Sequence, residues 1–433
     1  VSARAVREVG VPPRWDWLWP GLAAMATYAC MYAFRKPFAA GTYAGEDVAG
    51  MDYKIWLVVA QTLGYACSKF IGIGVIGQLL PAQRQPLLLA ILGGALLAWL
   101  GFALTPAAWR ALWLFCNGLL LGLVWGVVFS YLEGRRATEV MAALLASSVI
   151  FSSAMVKAVG KQLLLVDLEA RWMPLACAAL FSLPLLLCLR QLARLPPPDA
   201  GDRQARHARR PLGRARRRGL LRRFLPGLAA LSVGYVAIAV LRDVRDNFEA
   251  ELLTEAGHGG NAGLFLWIEL PATLAALGVA AVLVRMHDHA RCLWRLHLLM
   301  LAGLGGALLC TWLFRAGGLP ALAWIALTGL CLALAYVPFN CAFFERFIAA
   351  FRLRGNVGFF AYLLDTLAYF ASCGVLLAGH WMPSAGWTGR YVLASSALPL
   401  AGIAGTTLAL CFFRRCHRAV RPPPVFHPSR EFP

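Results

Sequence analysis

Arg35 and Lys36 stand side by side near the end of the first long apolar run, in Tyr28-Ala-Cys-Met-Tyr32-Ala-Phe-Arg35-Lys36-Pro37. An arginine presents a planar fork of donors that grips an oxyanion at two points, whereas a lysine offers a compact point charge. Tyr28, Tyr32 and Arg35 recur at i, i+4 and i+7, so one helix face carries two phenols and a guanidinium. No acid stands in the same run to neutralise the pair. Charge at membrane depth is costly and marks a functional position. The chemistry that suits these residues is reversible binding of an anion.

A second charged stripe lies in the second half of the chain, Leu241-Arg242-Asp243-Val244-Arg245-Asp246-Asn247-Phe248-Glu249. Arg242 and Asp246 are spaced i, i+4 and can neutralise each other, while Arg242, Arg245 and Glu249 share a face. Arg242 lies deeper and is the stronger candidate ligand, with Arg245 next. Lys69 sits in mid-run in Tyr65-Ala-Cys-Ser68-Lys69-Phe70. Only five of the 41 basic residues are lysines: Lys36, Lys54, Lys69, Lys157 and Lys161. Of these, Lys54 and Lys161 read as snorkelling at helix ends, and Lys157 reads as an outer-rim residue. Buried acids remain at Glu269, at Asp365 (between Tyr362 and Tyr369) and at Glu345 beside Arg346. Glu269, Asp365 and Asp246 are expected to couple or gate, as proton relays or as partners of a ligand arginine.

These residues must be held by membrane helices. The chain has 433 residues, 60% hydrophobic and 14% charged, with mean hydropathy +0.65. A soluble protein carries roughly 25% charged residues. Apolar runs long enough to span a bilayer occur at 17–40, 53–79, 86–104, 110–132, 138–163, 172–192, 224–250, 261–284, 291–314, 319–347, 355–381 and 388–413. The expected fold is all-α and integral to the membrane, twelve helices in two bundles of six. Residues 1–192 form the first bundle, 193–223 a basic cytoplasmic linker with Pro196, Pro197 and Pro198, and 224–433 the second bundle with a short tail. Arg35 and Arg242 each lie about 18 residues after their run begins, which suggests matched repeats.

The net charge of +20 is spread over alternate connections, with Arg4, Arg7 and Arg14 at the start, Arg135 and Arg136 between runs four and five, and Arg414, Arg415 and Arg418 near the end. The other connections are acidic, with Glu46, Asp52, Asp167, Glu169, Glu251 and Glu255. This positive-inside pattern predicts both termini in the cytoplasm and a multi-pass protein of a bacterial inner membrane. No folded basic domain points to nucleic acid. The first run is too long and too charged for a cleavable signal peptide. Neither Cys-x-x-Cys nor a Walker-type phosphate loop occurs, and His287-Asp-His289 lacks a third metal ligand. No metal, no cofactor and no enzymatic constellation is expected. The anticipated partners are the lipid bilayer and a small anionic substrate, with the chain acting as a monomer.

The motifs resemble those of the major facilitator superfamily, and within it the organophosphate:phosphate antiporters. Their Tyr-x-x-x-Tyr-x-x-Arg-Lys pattern matches Tyr28, Tyr32, Arg35 and Lys36. Their second-span Ser-Lys-Phe matches Ser68, Lys69 and Phe70, and their seventh-span Leu-Arg matches Leu241 and Arg242. Phe265-Leu266-Trp267-Ile268-Glu269 is close to the eighth-span pattern, with one residue extra. The resemblance implies that Arg35 and Arg242 clasp a phosphate, with Lys69 nearby. Two features depart from it. The fifth-span histidine is replaced by Ser147-Ser148-Val149-Ile150-Phe151, and the acidic-basic loop after span two is reduced to Gly77-Gln78-Leu79-Leu80-Pro81-Ala82-Gln83-Arg84. The expected function is alternating-access transport of phosphate or an organophosphate. The alternatives are a transporter-like sensor of such an anion and a proton-coupled carboxylate carrier.

Overall fold

A computed structural model describes residues 18–48, 50–133, 135, 138–196, 214–351, 353, 358–379 and 386–420. Most of the expected linker, residues 197–213, lies outside these ranges. In lipid a backbone must satisfy its own polar groups, and a chain this apolar does so by forming helices. The first half contains α1 (Leu18–Met31), α2 (Tyr53–Gly77), α3 (Arg84–Leu104), α4 (Ala107–Leu121) continued by α5 (Val124–Leu132), α6 (Thr138–Leu165) and α7 (Met173–Ala193). The second half contains α8 (Arg214–Asn247), the short α9 (Glu249–Glu255), α10 (Leu264–Val284), α11 (His289–Arg315), α12 (Ala321–Ala350), α13 (Gly358–Gly379) and α14 (Trp387–Val420). A two-stranded hairpin pairs Asp47–Val48 with Met51–Asp52 before α2.

Among the described residues ten helices are long and apolar enough to cross a membrane, with α4 and α5 forming one span. The first and eleventh positions are filled by α1 with its 3₁₀ extension and by α13, which completes the expected twelve. The chain is a multi-pass membrane protein. One boundary differs from the sequence reading: the seventh helix begins at Arg214, inside the basic stretch assigned to the linker, because nine of the ten residues before Phe224 are Arg, Leu or Ala, good helix formers that outweigh the single Gly219.

Within the first half α1 packs on α6 and α7, and α2 packs on α4. Here the backbones touch. A Cβ at Gly64 would fall 2.1 Å from the Phe115 carbonyl oxygen, and one at Gly118 would fall 2.2 Å from that of Gln61. Glycine permits this approach and nothing larger would. Within the second half α8 packs on α14, and α12 on α10 and α11. The halves meet along two seams, α2 against α13, and α6 against α10 and α12.

The first span is not one continuous helix. It ends as α-helix at Met31, tightens to a 3₁₀ turn at Tyr32–Phe34, and resumes as 3₁₀ at Pro37–Ala40. Pro37 contributes to the break: it has no N–H to donate to the Ala33 carbonyl, and Lys36 before it sits at φ −108°, ψ −5°, away from the regular helical values. Carbonyls released by the break find side-chain donors on neighbouring helices. Trp99 Nε1 donates to Phe34 O at 2.7 Å and Asn117 Nδ2 donates to the same atom at 3.0 Å. Gln61 Nε2 donates to Arg35 O at 2.8 Å. Arg35 and Lys36 therefore project from a fixed, non-helical segment.

Candidate functional site

Both arginines singled out by their matched positions line one cavity between the halves, of about 40 Å³. The first half contributes Tyr32, Arg35 and Lys36 from the broken span, with Val149, Ile150 and Ser153 from α6. The second half contributes Arg242, Asp243, Arg245 and Asp246 from α8, Glu269 from α10, and Gly329, Leu332 and Ala333 from α12.

The two arginines are held alike. Arg35 Cζ lies 4.0 Å from the centre of the Tyr65 ring, and Arg242 Cζ lies 3.9 Å from that of Tyr336. Stacking on an aromatic face orients the guanidinium plane and leaves its edge N–H groups available. Their partners differ. Arg242 donates to Asp243 at 2.7 Å, whereas Arg35 has only a long contact of 3.4 Å to the Tyr32 hydroxyl. Among the described residues Arg35 has no carboxylate partner, and its buried Nε has no hydrogen bond. The sequence pairing of Arg242 with Asp246 is thus corrected: Arg242 takes its neighbour Asp243, because Asp246 is held elsewhere.

Asp246 is the hub of the interface. Its Oδ2 lies 2.6 Å from Lys36 Nζ, and its Oδ1 accepts from Lys157 Nζ at 2.8 Å and from Ser153 Oγ at 2.7 Å. Lys157 also bonds Glu249. Lys54 bonds Glu251 at 2.7 Å and donates to Ala39 O at 3.0 Å. Lys69 pairs with Asp365 at 3.4 Å, and Asp365 accepts from the Tyr235 hydroxyl at 2.5 Å. Four of the five lysines thus reach from the first half to a carboxylate of the second. The rim and snorkelling readings are overturned for Lys157 and Lys54, both of which are 0% exposed. Each found an acid across the interface, which sequence spacing within one helix cannot reveal.

Arg245 is committed within its own half. It bonds Glu269, donates to Ile325 O at 2.9 Å, and lies 3.6 Å from Glu249. Gly329 makes room for it, since a Cβ there would fall 2.3 Å from Arg245 Cζ. Tyr28 is buried edge-on against Tyr32 and Trp125 and does not reach the cavity wall. Lys69 and Asp365 also lie off that wall. Sequence reasoning missed Tyr65, Tyr336, Asp243, Gln61, Asn117 and Trp99. A polar amide inside an apolar helix was the available signal for Gln61 and Asn117. The tyrosines carried none beyond being aromatic. Among the described residues no group of three or more His, Cys, Asp or Glu side chains gathers as a metal site.

The fold and site define a class, a twelve-helix, two-bundle protein of major-facilitator architecture. The chain belongs to the family described as "Family of unknown function (DUF5690)", whose pattern spans residues 37–416. No curated protein matches it by sequence. Among solved structures it is similar to a D-xylose-proton symporter, with 13% identity, TM-score 0.60, and coverage of 92% of this chain and 96% of that one. It is similar to the xylose transporter XylE from E. coli in a partially occluded inward-open conformation, at 12% identity and TM-score 0.59, covering 92% and 99% of the two chains. It also resembles a bacterial homologue of the human lysosomal transporter Spinster, inward-facing and unoccupied, at 12% identity and TM-score 0.58, covering 94% and 98%. Identities this low establish the architecture alone, and the organophosphate antiporter branch finds no support in these comparisons.

Proposed function

We propose that this chain is a secondary transporter that carries a small oxyanion across the membrane by alternating access. The observation that carries this reading is Arg35, a guanidinium in a cavity wall between the halves with no carboxylate partner among the described residues. Arg242 lines the same cavity from the opposite half, so an anion held by both would tie the bundles together. Binding stabilises the state in which the two arginines approach. Without the anion Arg35 keeps an unmatched charge and nothing ties it to the Arg242–Asp243 pair across the cavity, so the empty carrier reorients less readily. Phosphate or an organophosphate is the substrate class that the first-span and seventh-span motifs favour.

The lysine pairs supply the gate. With both termini in the cytoplasm, Lys36, Lys54 and Lys157 all close the outer end of the interface. Opening outward requires parting them from Asp246, Glu249 and Glu251. The inward-type conformations named for XylE and the Spinster homologue fit a carrier caught closed on that side.

The test is uptake and exchange in proteoliposomes, using labelled inorganic phosphate, glycerol phosphate, lactate and xylose, for the parent and for Arg35→Gln. Saturable flux that disappears in Arg35→Gln is expected. Binding without flux would show a sensor instead. Transport of a neutral sugar that survives loss of Arg35 would overturn the anion reading.

A further inference from the structure

The charges lining the cavity do not cancel, and their remainder is small. Four cations face it, Arg35, Lys36, Arg242 and Arg245, against three carboxylates, Asp243, Asp246 and Glu269. Three of the cations are matched to those carboxylates: Lys36 to Asp246, Arg242 to Asp243, and Arg245 to Glu269. Behind the wall three further lysines are matched too, Lys157 with Glu249, Lys54 with Glu251, and Lys69 with Asp365. Among the described residues the surplus is one positive charge, and it is Arg35.

We infer that the cavity takes its oxyanion as a monoanion, one unit of negative charge, and discriminates against dianions. This rests on the proposed anion transport and narrows its substrate class. A dianion would overshoot by one charge in a space walled by Asp243, Asp246 and Glu269. At the separations inside such a cavity, that excess repulsion is not screened as it would be in water. A phosphate monoester would accordingly enter singly protonated, and sulfonates and monocarboxylates meet the same condition without a proton. Asp243 sets the selectivity. It is the carboxylate that matches Arg242, the second arginine of the clasp, and it is held by Ser372 Oγ at 3.2 Å. Asp243→Asn keeps an oxygen acceptor for Arg242 while raising the surplus to two.

The experiment measures binding to the full chain in one detergent and at one ionic strength. The probes are methanesulfonate (always −1), sulfate (always −2) and methyl phosphate. Methyl phosphate passes from −1 to −2 near about pH 6, as phosphate monoesters do. Methanesulfonate is expected to bind the parent about equally at pH 5.5 and 7.5, which controls for titration of Asp243, Asp246, Glu269 and the cavity's lysine and phenol. Methyl phosphate should weaken about 25-fold over that interval, the fall in its monoanion fraction. Sulfate should bind the parent at least about tenfold more weakly than methanesulfonate, and Asp243→Asn should reverse that order.

Sulfate binding the parent as tightly as methanesulfonate, or methyl phosphate tightening as pH rises, overturns the monoanion inference and leaves anion transport standing. Failure of every anion to bind overturns the transport reading itself. If Asp243→Asn does not fold, the parent series alone decides.

Discussion

Lys36 Nζ of the first half stands 2.6 Å from Asp246 Oδ2 of the second, both largely buried, so an ion pair rather than an apolar seam joins the bundles at this point. Such a pair contributes little net stability, because desolvation offsets the attraction. Breaking it by removing one partner is different, since an uncompensated charge is left inside. Asp246→Asn strips Lys36 of its only carboxylate among the described residues and takes one of two from Lys157. The expected loss is about 3–5 kcal/mol. Lys36→Met combined with Asp246→Asn should cost less than the two single changes summed. Unfolding in detergent measures all three, and strict additivity would show that the residues are not coupled.

Lys157 gives the sharpest contrast with Lys161, one helical turn further along α6. Lys157 is sealed between Asp246 and Glu249 with 0% exposure, whereas Lys161 is partly exposed. Lys157→Arg introduces a larger, planar head into a filled site, and overpacking of this kind costs about 1–3 kcal/mol. Lys161→Arg should stay within about 0.5 kcal/mol of the parent. Equal stability of the two variants would place Lys157 in open surroundings.

Gly329 is a spacer for a charge, not for a helix crossing. Gly329→Ala would put a methyl group 2.3 Å from Arg245 Cζ and drive the guanidinium off Glu269. Neither charge is removed, so the loss should be that of overpacking, about 1–3 kcal/mol. Gly278, on α10, has nothing within 4 Å of its would-be Cβ. Gly278→Ala should therefore gain about 0.5–1 kcal/mol from reduced backbone freedom. A midpoint shift of opposite sign for the two variants is the result expected. A rise for both would mean that Arg245 has another position available.

The architecture was legible because it is written in long apolar runs, which depend on no distant contact. The cavity arginines were legible because charge inside such runs is rare. Partners were not. Helix spacing offers Asp246 to Arg242 because it reports only neighbours on one face. The partners Asp246 does have, Lys36 and Lys157, come from the other half of the chain. Arg245 is, from its place on the stripe, a candidate ligand beside Arg242. It proved to be matched by Glu269, a residue whose proximity depends on how α8 and α10 pack. The break at Tyr32 was readable in Pro37, but the donors that make it tolerable, Trp99, Asn117 and Gln61, lie on three separate spans.

Arg35→Lys keeps the charge that the cavity leaves unmatched, and so separates charge from shape. Lysine cannot grip an oxyanion at two points and cannot lay a planar face on Tyr65, as Arg35 does at 4.0 Å. Loss of charge-assisted hydrogen bonds to a bound anion should cost about 1–3 kcal/mol. That is roughly a tenfold to hundredfold weakening of methanesulfonate or methyl phosphate binding. Tyr65→Phe retains the aromatic face and should bind as the parent does, within about threefold, whereas Tyr65→Leu removes the face and should weaken binding toward the level of Arg35→Lys. The affinities are compared at one salt concentration, because screening changes exposed and buried charges unequally. An Arg35→Lys variant that binds both anions with parental affinity would remove the guanidinium from the site, and with it the role of the broken span in presenting it.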